Sequence, residues 1–217
     1  MVRPTFEHEL KEIHLDLLKM GTMTEQAIDK AILALKKKDI ELAQKIIEND
    51  TEIDNLTEEI EKKCAIVIAT QQPLAKDLRL IIAAMRIATD IERIADHASD
   101  ISEITIKLSK FEYIKPLVDI PKMADITKEM LKMALDSYVR SDLELSNKVI
   151  NMDDLVDDMY DKLLIELQEI MSKDTSSIPQ CINFLLVIKY LERIADHSTN
   201  IAEWVLYKIT GKLKHEL

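Results

Sequence analysis

Glycine is nearly absent from this chain. Among 217 residues only Gly21 and Gly211 are glycine, and the aromatic residues together make up 4%. Sheet proteins need many tight turns and favour aromatic and β-branched side chains, so the shortage argues against a β architecture. Cysteine is equally scarce. Cys64 and Cys181 lie far apart within apolar helical patterns, which fits buried reduced thiols rather than a disulfide framework or a zinc site. The amino-terminal "MVRPTFEHEL" lacks the apolar run of a signal peptide. Runs such as "CAIVIA" and "LIIAAM" fall far short of the ~20 apolar residues a membrane helix requires. A cytoplasmic protein with no membrane insertion is expected. Positive charge is in the minority, with 29 Lys and Arg against 40 Asp and Glu and a net charge of −11. Nucleic acid is a poor partner for such a surface, because its phosphates attract concentrated positive charge. The basic run Lys36–Lys38 reads as a helix end, where cations favour the dipole. There is no nucleophile–base pairing, glycine-rich phosphate loop or Cys/His zinc spacing, so catalysis is not expected.

The chain does have apolar residues in abundance, 47% of the total, at helical spacing. An all-α fold follows. Pro4, Pro73, Pro121 and Pro179 each fall just before or inside the start of an apolar-periodic stretch, where proline is tolerated. They divide the chain into six helices at roughly 5–37, 39–70, 74–110, 121–140, 142–172 and 178–212. "SDLE" at Ser141–Glu144 has the form of a capping box opening the fifth. The stretch "KFEYIKPLVDIP", Lys110–Pro121, reads as a linker, placing domains at 1–112 and 121–217 with 113–120 between them.

The two halves are copies of one another. "IERIADHASDI" at 91–101 recurs as "LERIADHSTNI" at 191–201, and "DIELAQKIIENDTEID" from Asp39 recurs as "DLELSNKVINMDDLVD" from Asp142. The offset of 103 at Asp39 and Asp142 falls to 100 at Glu92 and Glu192, so the second copy lacks three residues of the loop around Gln71–Lys76. Short connections make successive helices antiparallel neighbours. The expected architecture is two tandem three-helix bundles, six long antiparallel helices in all.

The acids recur too. At about 100° per residue, Asp50 falls inside the apolar stripe of Ala43, Ile46, Ile47, Ile53 and Ile60, and Asp54 at its margin. Asp153 and Asp157 do the same among Val149, Ile150, Val156 and Leu163. In the third helix the line of Ile82 and Met85 becomes Glu92, Asp96 and Asp100, and in the sixth Ile182 and Leu185 lead into Glu192 and Asp196. An acidic row on a helix is ordinarily a solvated face, and Arg93 and Arg193 offer some neutralisation. Yet a buried unpaired carboxylate costs several kcal/mol unless it is paired, protonated or bound to a cation. Inward acids repeated on both helices of both halves therefore point to a multivalent cation held by oxygen ligands. His97 and His197 lie about 100° to the side of the row and are not expected to ligate. The ten methionines read as core filler. An alternative class, a carboxylate-bridged iron oxidase or iron handler, uses Glu-x-x-His spacing. Here Glu92 and His97, and Glu192 and His197, are five apart and face different ways.

Tandem three-helix bundles carrying "DIERIADHASDI" and "YLERIADHSTNI", with "ENDTEIDNL" and "NMDDLVDDM" on the partner helices, resemble the PhoU family of phosphate-signalling regulators along essentially the whole chain. That resemblance implies a negative regulator of the phosphate-starvation response. It would link the ATPase subunit of a phosphate ABC transporter to a sensor histidine kinase, as a homodimer. It also implies multinuclear metal binding, with iron first and manganese, magnesium or zinc as other candidates. The ligand roles it assigns fall on Glu92, Asp96 and Asp100 in one half and on Glu192 and Asp196 in the other. Asp50, Asp54, Asp153 and Asp157 complete them. One departure is Asn200 in place of the acid at Asp100, a neutral and weaker ligand.

Overall fold

The computed structural model describes residues 4–212. Its helices are α1 (Pro4–Lys37), α2 (Ile40–Gln71), α3 (Ala75–Leu108), α4 (Asp119–Arg140), α5 (Leu143–Lys173) and α6 (Ile178–Thr210), with one 3-10 turn at Thr175–Ser177. These bounds all lie within two residues of those expected from the sequence, with α3 and α6 each ending two residues early. The two repeats punctuate α1–α2 and α4–α5 alike. A residue with positive φ, Lys38 or Ser141, turns the chain, and the next residue caps the new helix. The Asp39 carboxylate accepts the Leu42 N–H and the Asp142 carboxylate accepts the Leu145 N–H, each at 3.0 Å. The fifth helix is therefore capped by Asp142, not Ser141. Ser141 closes the helix before it in a left-handed conformation.

Within each repeat the three helices pack up-down-up, and the repeats join along α3 and α6. These two helices are the most buried, because each packs against helices of its own bundle and against the other. Ile81, Ile87, Ile91 and Ile94 of α3 and Phe184, Ile188, Leu191 and Ile194 of α6 are all fully buried in one continuous core. Alanines 84, 88, 95 and 98, also buried, let the backbones approach. Equivalent residues trade places across the junction: Asp90 meets His197, and His97 meets Tyr190. This exchange is the mark of an internal two-fold axis.

The connector at 109–118 is strapped to α1, α5 and α6. The Tyr113 hydroxyl donates to the Leu35 carbonyl at 2.6 Å. The Gln180 side chain accepts the Ile114 N–H at 2.7 Å and donates to the Glu112 carbonyl at 2.9 Å. Lys115 pairs with Glu166. α1 and α4 touch where Gly21 leaves room for Leu135. A Cβ on residue 21 would sit 2.3 Å from Leu135 Cδ1, and Leu135 is itself buried. Gly21→Ala is expected to destabilise by about 1 kcal/mol, the cost of overpacking less the helix-propensity gain. In urea unfolding, Gly21→Ala combined with Leu135→Ala should be more stable than the two single effects added; strict additivity would mean that the methyl does not meet Leu135.

Candidate metal centre

α2 and α3 run antiparallel, so their acid rows face one another. Asp54 of α2 and Glu92 and Asp96 of α3 each place a carboxylate oxygen within 4.8 Å of the other two. Hard cations take such oxygen donors. Asp54 stands at the solvent rim, while Glu92 and Asp96 are half-buried. One turn along α2, Asp50 is half-buried, and burial pushes its carboxyl up to about 6, with the charges of Asp96 and Asp54 adding to the rise. A hydrogen bond from Ser99 only partly opposes it. Burial and then Asp96 raise Asp54 and Glu92 as well. Arg93 is the cation at hand, 2.9 Å from Asp96 and 3.3 Å from Glu92, but about half exposed. An exposed arginine contributes little against such repulsion. The donor set thus fits a divalent or trivalent metal: all-oxygen, convergent and short of positive charge.

Asp100 turns the other way. Its carboxylate meets His97 Nδ1 at 3.2 Å, although its charge still reaches Asp50. In the second repeat Asp153 is half-buried and Asp157 exposed on α5, opposite Glu192 and Asp196 of α6. Burial and then Glu192 raise both Asp157 and Asp196. Among the described residues, Asp157, Glu192 and Asp196 do not gather to the limit met by their counterparts. Arg193 stands 3.8 Å from Asp196.

His97 and His197 are not members of the Asp54, Glu92 and Asp96 cluster. They meet at the junction of the repeats, with ring centres 5.9 Å apart. His197 Nδ1 lies 2.9 Å from the buried Asp90 carboxylate, which also accepts the Asn200 amide at 3.3 Å. His97 stacks on Tyr190 with centres 5.3 Å apart. Asp90, Tyr190 and Lys189 were not singled out in the sequence. The available signal was their spacing, seven residues before each histidine for the first two and three before Glu192 for the lysine. Only the crossing of α3 over α6 gives the first spacing a meaning. Cys64 and Cys181 are free and buried, as expected. Trp204 packs edge-on to Tyr207 near the end of α6, and the Arg86 guanidinium lies 5.7 Å from its ring centre.

These features define a class: a duplicated three-helix-bundle protein whose third helices join the halves and whose acids cluster against the second helices. The chain matches the PhoU domain twice, over residues 17–105 and 120–205. A protein from Clostridium acetobutylicum named phosphate-specific transport system accessory protein PhoU homolog is 43% identical over 98% of this chain and 97% of its own length. The Synechocystis protein of the same name is 39% identical over 97% and 93%. The crystal structure of PhoU from Pseudomonas aeruginosa superposes with a TM-score of 0.92 at 35% identity, covering 95% of this chain and all of that one. The chain belongs to the PhoU family. The names its relatives carry are those of accessory and regulatory proteins, not of enzymes.

Proposed function

We propose that this phosphate-transport-associated regulator holds down phosphate-starvation signalling by linking the ATPase subunit of a phosphate ABC transporter to a sensor histidine kinase. It acts in the cytoplasm as a homodimer. The family match over nearly the full length supports the role, and among the described residues no helix is long and apolar enough to cross a membrane. The first repeat holds metal through Asp54, Glu92 and Asp96, with Asp50 and Asp100 beside them. Iron is the ion implied by family resemblance; manganese, magnesium and zinc are other candidates for the acid cluster. The observation that carries this reading is the convergence of the Asp54, Glu92 and Asp96 carboxylates, next to a raised Asp50, with the half-exposed Arg93 as the cation paired to them among the described residues. When bound, the metal supplies local positive charge on a protein of net charge −11. Phosphate or an acidic partner surface would otherwise be repelled there.

A strain deleted for this gene tests the role. Starvation genes should be switched on in phosphate-rich medium, and the wild-type chain should silence them again. Unchanged phosphate uptake together with unchanged starvation-gene expression on deletion would count against it.

A further inference from the structure

The two repeats place the same acids on the same helices but surround them differently. One turn before Glu92 stands Thr89, whose hydroxyl donates to the Met85 carbonyl at 3.1 Å and brings no charge to the cluster. The equivalent residue in the second repeat is Lys189. Its ammonium bonds the carboxylate of Glu192, a side chain only 17% exposed, and lies 5.4 Å from the centre of the Tyr160 ring. Tyr160 stands where the first repeat has Thr57. The same ammonium acts on Asp157 and Asp196, opposing the rise that burial and Glu192 impose on both. Lys189 thus serves Glu192, Asp157 and Asp196 together.

One further difference runs the same way. Asp100 is replaced by Asn200, whose amide is engaged by Asp90 of the other repeat. Beside Asp50, Gln26, Lys30 and Asn49 line a polar cleft of about 150 Å³. Beside Asp153 the same positions are Glu129, Met133 and Met152.

Clustered carboxylates need positive charge from some source. A tethered ammonium provides it without the entropic cost of capturing a free ion. It also occupies a Glu192 oxygen that a metal would use, and an aromatic face steadies it there. An ordinary helix-surface pair three residues apart would be worth only a few tenths of a kcal/mol. The sheltered Glu192 and the Tyr160 ring set this pair apart.

We propose that Lys189 is the resident cation of the second acid cluster, so that metal binding is confined to the first repeat and the second repeat is its self-neutralised copy. The inference rests on the reading that the first repeat holds metal. The second cluster does not fit the metal ion that the family implies.

Mn²⁺ uptake, measured by equilibrium dialysis with metal analysis, tests it. Asp96→Asn should remove the tight uptake, whereas Asp196→Asn should leave it unchanged. Lys189→Thr should add a second set of sites, raising affinity there by ~10–100-fold, the usual scale for a change beside a metal ligand. Adding Asp196→Asn to Lys189→Thr should remove that second set. Equal losses from Asp96→Asn and Asp196→Asn would overturn the proposal, as would a Lys189→Thr protein that gains no site. If the wild-type chain takes up no Mn²⁺ at all, the metal reading of the first repeat fails by itself. The role of Lys189 is then decided by melting in chelator. Lys189→Thr should lower Tm by ~2–4 °C, and adding Asp196→Asn should restore it. A Lys189→Thr protein that melts with the wild type overturns the assignment.

Discussion

Stripped by chelator and then reloaded with Mn²⁺, the protein is expected to melt about 5–10 °C higher in the loaded form. A ligand present at a hundred times its Kd stabilises by ~2.7 kcal/mol, and a chain of this size gains roughly 2–4 °C per kcal/mol. Asp96→Asn should collapse that gap, because Asp96 is both a member of the converging trio and the charge that most raises its neighbours after burial itself. Asp50→Asn in chelator should melt at or above the wild type, since it removes a carboxylate that burial already disfavours. The gap should also narrow as pH falls. Asp50 is raised to about 6 in the folded chain, so between its ordinary value and that point the folded state binds more protons than the unfolded one. The metal-free protein therefore gains stability as pH drops through this window, while a metal must displace the proton to bind. Differential scanning calorimetry at pH 7.5 and pH 5 measures both trends. Identical melts with and without metal at pH 7.5, or a full shift in Asp96→Asn, would rule out the site.

Phe184→Ala is the second large effect. Phe184 is fully buried at the start of α6 and meets the Tyr113 ring edge-on, with centres 5.4 Å apart. Tyr113 in turn is tied to the last turn of α1 through Leu35. The substitution opens a cavity where both repeats and the connector meet, at a cost of ~3–5 kcal/mol, or about 6–20 °C in Tm. Because the core is continuous across α3 and α6, the loss should move one cooperative transition rather than split it. Two resolved melting steps, one unaffected by the substitution, would show that the repeats fold as separate units.

Helix positions were legible in the sequence because nothing competed with the 3.6-residue period: two glycines and five prolines leave few places to stop, and the prolines mark the starts. The misassigned cap is instructive. Ser141 and Asp142 both suit an N-cap, and the choice depends on which residue turns left-handed; Ser141 does, at φ 52°. The acid rows of α2 and α3 could be placed on facing sides by angle alone, since antiparallel neighbours in one repeat have a known order. Asp100 could not. It shares the line of Glu92 and Asp96, yet it lies nearest His97 and the other repeat, and its carboxylate is engaged there.

Composition and period alone determined that this chain is helical, duplicated and acid-bearing, because those properties arise from local preferences and from comparison of the sequence with itself. How the copies meet was settled only by tertiary structure. Nothing within one repeat encodes that α3 crosses α6 so that Asp90 reaches His197 and His97 reaches Tyr190. The same holds for the two acid clusters. Near-identical strings of residues acquire different electrostatics through Lys189 and Tyr160, side chains on separate helices whose meeting depends on the packing of α5 against α6.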